Sequence, residues 1–248
     1  MSRRTETLLE GDGLTRYFGG LPALRDVTFA VAKGEILGLI GPNGAGKSTL
    51  LNLISGIFRP SHGRVLFQGR DVTGLRPHEI AKRGVARVLQ TPRSFPSMSV
   101  RENVAIGSLF AGKDRGERAT PDRHQPEFLL DLVGLLDKQD STLAGLTLQE
   151  KRMLELARAL ATRPALLLLD EAMSGLNPTE MERAMSIIRR IRDELGVTVI
   201  WVEHVMKAIM GVAERILVLN FGQLIAVGTP VEVARDQGVI DAYLGRAE

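Results

Sequence analysis

The chain has no cysteine, few aromatic residues and no long hydrophobic run, and each shortage removes a class of function. Without cysteine there is no disulfide framework and no thiolate to act as nucleophile or metal ligand, a composition that suits the cytosol. Aromatic residues make up only 4%, too few to interleave with basic side chains as base-stacking platforms. Lys and Arg exceed Asp and Glu by 3 (32 − 29) and lie scattered, so no nucleic-acid partner is expected. The longest apolar runs, "ALLLL" and "VTVIWV", are strand-sized and far too short to span a bilayer. The opening "MSRRTETLLEGDG" lacks the apolar stretch of a signal peptide. His62, His78 and His124 show no metal-ligand spacing and are expected at the surface.

What is present suits a globular α/β protein. With 248 residues, 44% of them hydrophobic, the chain can bury a sizeable core as one domain, or as a domain carrying an insert. Alternating apolar residues in "TETLLEGDGLTRYF" and "LRDVTFAVAKGE" predict antiparallel strands joined at glycine turns. "EILGLI" reads as a buried strand, "GRVLFQGRDV" as a strand and turn, and "GVARVLQ", residues 84–90, as a strand stopping at Gln90. Residues 111–126 are rich in Gly, Pro and charge and read as a loop. "EFLLDLVGLLDKQD" and "EKRMLELARALATR" have helical spacing, so residues 96–160 read as a helical insert. Strands return with "ALLLLD", "VTVIWVEH" and "RILVLN" around the helix "TEMERAMSIIRRIRDELG", an alternation that predicts a mostly parallel sheet.

Between "EILGLI" and the helical "TLLNLISGIF" stands Gly41-Pro42-Asn43-Gly44-Ala45-Gly46-Lys47-Ser48-Thr49. Its pattern, G-x-x-x-x-G-K-[S/T], occurs once, and strand-before with helix-after is the context in which it binds phosphate. The glycines let the backbone turn tightly enough to aim successive N–H groups at phosphate oxygens. The helix N-terminus adds positive potential. Lys47 can reach the β- and γ-phosphates and Ser48 can ligate Mg²⁺. At the end of "LLLLDE", Asp170 is suited to hold the Mg²⁺ shell and Glu171 to orient or deprotonate an attacking water. A nucleoside triphosphate and Mg²⁺ are therefore the expected ligands.

Glu171 after Asp170, then "SGLNP", then "VTVIWVEH" ending in His204, resemble the ATP-binding cassette (ABC) ATPases, whose motifs follow in order over nearly the whole chain. The resemblance implies a P-loop NTPase fold: a mostly parallel core sheet, an N-terminal antiparallel β subdomain and an inserted helical subdomain. On that plan 1–248 is one ATPase domain, with 1–95 and 161–248 as the nucleotide-binding core and 96–160 as the insert. It further implies that Phe18, in "RYFGG", stacks on adenine. Gln90 would sense Mg²⁺ and the γ-phosphate, and His204 would hydrogen-bond the γ-phosphate. Residues 174–177 would cross a dimer interface, with Asn177 where Asp is usual.

The family's Leu-Ser-Gly-Gly-Gln signature, which completes the partner's ATP site, is here Leu146-Thr147-Leu148-Gln149-Glu150. Thr147 keeps the hydroxyl. Gln149 adds a side chain where backbone must approach phosphate, and Glu150 adds a carboxylate to an anionic site. Thr147-x-x-Glu150 is equally the pattern of a capping box, so a helix cap with a weakened trans contact and a working signature both remain open. A slow or silent site of this kind would favour a heterodimer with a second ABC ATPase subunit over a homodimer.

"RYFGGLPALRDVTFAV" and "GQLIAVGTPVEVARDQGVIDAYLG" are similar to the ATPase subunits of branched-chain amino-acid importers, and amide and urea importers share much of the pattern. That branch implies transmembrane permease subunits, an external substrate-binding protein and a peripheral position at the cytoplasmic face of the inner membrane. Pro92, Phe95 and Pro96 in "TPRSFPSMSV" would then form part of a docking surface or merely shape a turn. A ribosome- or DNA-directed ABC protein usually carries two cassettes or long coiled-coil arms, which does not suit a single 248-residue cassette. A nucleotide-binding subunit without useful turnover is the remaining alternative.

Overall fold

The computed structural model describes residues 6–89, 91, 93–110, 121–173, 175–203 and 205–244. In chain order the elements begin with β1 (Thr7–Phe18), β2 (Leu21–Ala32), β3 (Ile36–Ile40), α1 (Lys47–Ile54), β4 (His62–Phe67), β5 (Arg70–Asp71) and α2 (Pro77–Arg83). Then come β6 (Val85–Val88), α3 (Val100–Leu109), α4 (Pro126–Val133), α5 (Leu148–Ala161), β7 (Leu166–Asp170) and α6 (Pro178–Leu195). The chain continues through β8 (Thr198–Val202), α7 (Met206–Val212), β9 (Arg215–Asn220), β10 (Gln223–Gly228), α8 (Pro230–Arg235) and α9 (Gln237–Leu244). It divides into two compact units, one built from residues 1–80 and 198–248 and the other from residues 81–197.

In the first unit β1 pairs antiparallel with both β2 and β4, and β4 with β5. The stretch expected as a strand and turn is thus two short strands. Gln68 and Gly69 both have positive φ, the pattern of a two-residue hairpin turn whose twist matches its strands. In the second sheet of this unit, β3 runs parallel to β8 and β9, and β10 returns antiparallel to β9. β3 and β8 are buried along their full length, which explains their continuous apolar sequence.

In the second unit β6 and β7 pair in parallel, with Arg87 opposite Leu168. β6 is shorter than the strand expected over 84–90, and Gln90 lies outside the described residues. Helices α3, α4 and α5 bury Val100, Val104, Leu129, Leu130, Leu154 and Leu160, each contributing roughly 1.5–3 kcal/mol by leaving water. Two expectations need correction. The helix read into "EFLLDLVGLLDKQD" ends at Val133, because Gly134 takes a left-handed φ of 75° as its C-cap, the usual glycine stop. A separate 3-10 turn, Leu136–Lys138, follows. His124 is not a surface residue: it closes a 3-10 turn just before α4 and keeps only 7% exposure. Burial first, and the positive charge of Arg163 second, push its pKa down. His62 and His78 are exposed.

Candidate functional site

The glycine-rich loop is built by the first unit. β3 delivers the chain to Gly41, whose φ of 149° is closed to most side chains, and a Cβ there would sit 2.1 Å from the Leu219 carbonyl oxygen of β9. The Ala45 N–H then donates to the Pro42 carbonyl at 3.1 Å, and Gly222 donates to the Ala45 carbonyl at 3.0 Å. Gly46, at φ 104°, is the N-cap of α1 and offers no side-chain cap. A Cβ on it would lie 2.7 Å from the Ala23 carbonyl of β2. The first N–H groups of α1 therefore donate to no capping side chain, the arrangement that suits an anion. Lys47 is buried, and its Nζ donates to the carbonyls of Gly41 at 2.7 Å and Pro42 at 3.0 Å, which curls the loop around its own ammonium. Asn43, Gly44 and Ser48 are exposed and Thr49 half-buried. Positive charge, open backbone donors and an exposed hydroxyl fit a polyphosphate with its metal.

Phe18 ends β1 and is 42% exposed. Its ring meets Phe58 edge-on at 5.2 Å, and the Arg16 guanidinium stands 4.8 Å from its centroid. The same hairpin runs back through Ala23, the residue that faces Gly46. Tyr243 of α9 was not singled out from sequence. Burial pushes the pKa of its hydroxyl up, and the Gly41 backbone acts in the opposite direction.

In the second unit Asp170 closes β7 half-buried, and Arg87 Nη2 on the neighbouring β6 donates to its Oδ2 at 2.6 Å. Glu171 holds a φ of 51°, a left-handed conformation that non-glycine residues rarely adopt and that collects at functional sites. Asn177 is the N-cap of α6. Its side chain accepts from Glu180 N at 2.9 Å, and Glu180 Oε2 accepts from the Asn177 N–H at 2.9 Å. Asn serves that cap as well as Asp would. Among the described residues no three His, Cys, Asp or Glu side chains gather as a metal cluster. Gln90, Ser174, His204 and Pro92 lie outside the described residues.

Arg93 and the backbone of residues 95–99 are pinned by residues that sequence reasoning missed. Asn103 is fully buried in α3: its Oδ1 accepts from Phe95 N at 2.8 Å, and its Nδ2 donates to the carbonyls of Phe95, Met98 and Ser99. Buried Glu155 on α5 accepts from the Arg93 N–H and from Arg158 Nη2, and Arg158 also donates to the Arg93 carbonyl. Phe95 itself is 44% exposed beneath this brace. A carboxylate on the apolar face of α5 was the one signal available.

Residues 147–150 form the N-terminus of α5, and the capping box is present. Thr147 Oγ1 accepts from Glu150 N at 3.2 Å while Glu150 Oε2 accepts from Thr147 N at 2.9 Å. The other carboxylate oxygen of Glu150 takes a hydrogen bond from Lys138 Nζ at 2.5 Å. Lys138 and then the Thr147 backbone hold the Glu150 pKa below its ordinary range. Leu148 is exposed, whereas Gln149 and Glu150 line a groove of about 360 Å³ with Asp131, Leu135 and Arg183.

Known proteins resemble the chain throughout. The sequence profile of the family described as ABC transporter matches residues 24–174, and that of the branched-chain amino acid ATP-binding cassette transporter family matches residues 223–248. The high-affinity branched-chain amino acid transport ATP-binding protein LivG of Salmonella typhimurium is 38% identical, covering 98% of this chain and 100% of LivG. BraF of Pseudomonas aeruginosa is 37% identical, covering 97% and 98%. Among solved structures, the ADP conformation of the ATP-binding cassette MJ1267 superposes with a TM-score of 0.85 at 29% identity, covering 98% of this chain and 100% of MJ1267. A dimeric post-hydrolysis state of the cassette MJ0796, bound to ADP and Pi, gives 0.76 at 25% identity, covering 90% and 99%. With a family profile over more than half its length and relatives this similar from end to end, the chain belongs to the ABC transporter family, as an ATP-hydrolysing subunit on the branch of LivG and BraF.

Proposed function

We propose that the chain is the ATPase motor of an importer for branched-chain or other hydrophobic amino acids, peripheral at the cytoplasmic face of the inner membrane. The near-full-length identity to LivG carries this reading, and the C-terminal profile match supports it. It works as one cassette, 1–248, with residues 1–95 and 161–248 as the nucleotide-binding core and 96–160 as the inserted helical arm. Gly41, Pro42, Asn43, Gly44, Ala45, Gly46, Lys47, Ser48 and Thr49 hold the triphosphate, and Phe18 stacks on adenine. Mg²⁺, when bound, draws off charge from the β- and γ-phosphates, and Ser48, Gln90 and Asp170 hold it or its waters. Glu171 takes the proton of the attacking water, Gln90 reports the γ-phosphate to the helical arm, and His204 donates a hydrogen bond to it.

Two cassettes close head to tail on ATP, and hydrolysis with product release opens them, moving the permease subunits. The second cassette in the assembled transporter is a different ATPase subunit bearing an unaltered signature, and the isolated chain can form the same head-to-tail pair with a second copy of itself. The site made with residues 147–150 of this chain closes on ATP but turns over slowly, because the Gln149 side chain intrudes where glycine is usual. This reading is supported by the acidic, capped start of α5.

The test is purification of the tagged chain from membranes in mild detergent, with identification of the subunits that accompany it. Two permease subunits and a second ATPase are expected, with an associated binding protein that retains an aliphatic amino acid. A binding protein retaining an amide or urea would redirect the cargo, and recovery of the chain with no membrane subunit would overturn the importer reading.

A further inference from the structure

The start of α5 is an awkward place for a carboxylate if it is to meet a phosphate. Its first turn carries Glu150, and a free carboxylate there would cancel the helix N-terminal potential and repel an anion. Both oxygens of Glu150 are nonetheless committed. Oε2 accepts from the Thr147 N–H at 2.9 Å, and Oε1 accepts from Lys138 Nζ at 2.5 Å. Lys138 belongs to another element, the 3-10 turn that follows the Gly134 stop of α4. Its backbone is fixed there by Lys138 N donating to Leu135 O at 3.1 Å and Ser141 N donating to Lys138 O at 2.9 Å. Each partner strengthens the charged form of the other, since Glu150 holds the Lys138 pKa up and Lys138 holds that of Glu150 down. The carboxylate thus lines the groove beside Asp131 and Leu135, while Leu148 stands exposed at the helix tip.

We propose that Lys138 is a positioning residue for segment 147–150: it draws Glu150 toward the 3-10 turn and neutralises it, so that the start of α5 can meet the γ-phosphate of ATP held by a partner ATPase. The proposal rests on the reading of this segment as a trans contact. The capping box alone folds the carboxylate back but leaves its charge, and the ammonium removes that charge from the face the nucleotide meets. A positively charged side chain at 138 is the requirement, and lysine in particular is not.

The experiment uses the full chain with Glu171→Gln, so that ATP is held and not consumed, and reads Mg-ATP-dependent dimerisation by sedimentation together with ATP binding to the monomer. The Glu171→Gln chain is expected to dimerise on ATP. Adding Lys138→Met weakens the dimer at least about tenfold, the scale of an uncompensated charge at a few ångströms, without changing monomer affinity for ATP. Adding Glu150→Gln to that variant restores the dimer, Lys138→Arg preserves it, and raised salt partly rescues Lys138→Met. Melting temperatures identify variants that merely unfold, and Glu150→Gln rescue separates a charge effect from a structural one. Unchanged dimerisation in Lys138→Met, or no rescue by Glu150→Gln, would overturn the role of Lys138 while leaving the trans contact intact. ATP binding with no dimer in any variant would overturn the trans contact and this inference together.

Discussion

Gly41 is the point at which the glycine-rich loop is tied to the sheet, and replacing it by alanine tests whether that tie matters. Two effects add at this position. The Cβ would lie 2.1 Å from a backbone carbonyl oxygen, that of Leu219, and φ is 149°. Backbone cannot rotate aside as a side-chain tip can, so the overpacking cost of about 1–3 kcal/mol applies, and the unfavourable φ adds about 1–2 kcal/mol. A total near 3 kcal/mol corresponds to a melting temperature lower by about 6–12 °C for a chain of this size. Gly44→Ala is the matched control: its φ is 79°, but no atom lies within 4 Å of the added Cβ. Only the conformational term of about 1 kcal/mol remains, a loss of about 2–4 °C. Thermal melts with and without Mg-ATP provide the assay. Saturating nucleotide at about 100 Kd should stabilise the parent chain by about 2.7 kcal/mol, and Gly41→Ala should lose most of that increment because its loop is displaced from β9. Melting of Gly41→Ala within about 2 °C of Gly44→Ala, with the ATP increment retained, would mean that the contact with β9 does not hold the loop.

Two further outcomes follow from local structure. Thr147→Ala removes the hydroxyl that accepts from Glu150 N and should lower stability by about 1 kcal/mol, measurable as a melting shift of about 2–4 °C. His124, whose folded pKa is depressed mainly by burial, should contribute stability that is complete above its unfolded pKa of about 6.5 and declines as pH falls from there toward the folded value, because the unfolded chain takes up the proton first. Urea titrations at stepped pH should show that decline in the parent chain and a flatter profile in His124→Gln.

Local rules made some of this structure legible and left the rest hidden. The loop 41–49 could be read because its chemistry needs glycine at fixed offsets from lysine, between a strand and a helix, and the elements β3 and α1 flank it. The capping box at 147–150 could be read because both partners lie within one turn. Lys138 could not, since it meets Glu150 from a 3-10 turn created by a helix stop at Gly134, and the helical spacing of that stretch ran past the glycine. Arg87 was hidden for a similar reason: its partner Asp170 is 83 positions away and found only through the β6–β7 register. His124 was misjudged because polarity of the surrounding sequence says nothing of the packing that covers it. Asn103 carries four hydrogen bonds to backbone atoms, yet a lone Asn inside a helix has no pattern to mark it. The family resemblance supplied roles for Gln90, His204 and Phe18 that spacing alone could not.

With Lys47 holding the phosphates and Glu171 activating water, as proposed above, this chain's own ATP hydrolysis drives its transporter. The direct measurement is ATP turnover by the assembled complex with Glu171→Gln introduced in this chain only. Most turnover should be lost, with ATP still bound. Turnover equal to that of the unmodified complex would contradict it, leaving the chain as a nucleotide-binding subunit whose partner performs the hydrolysis.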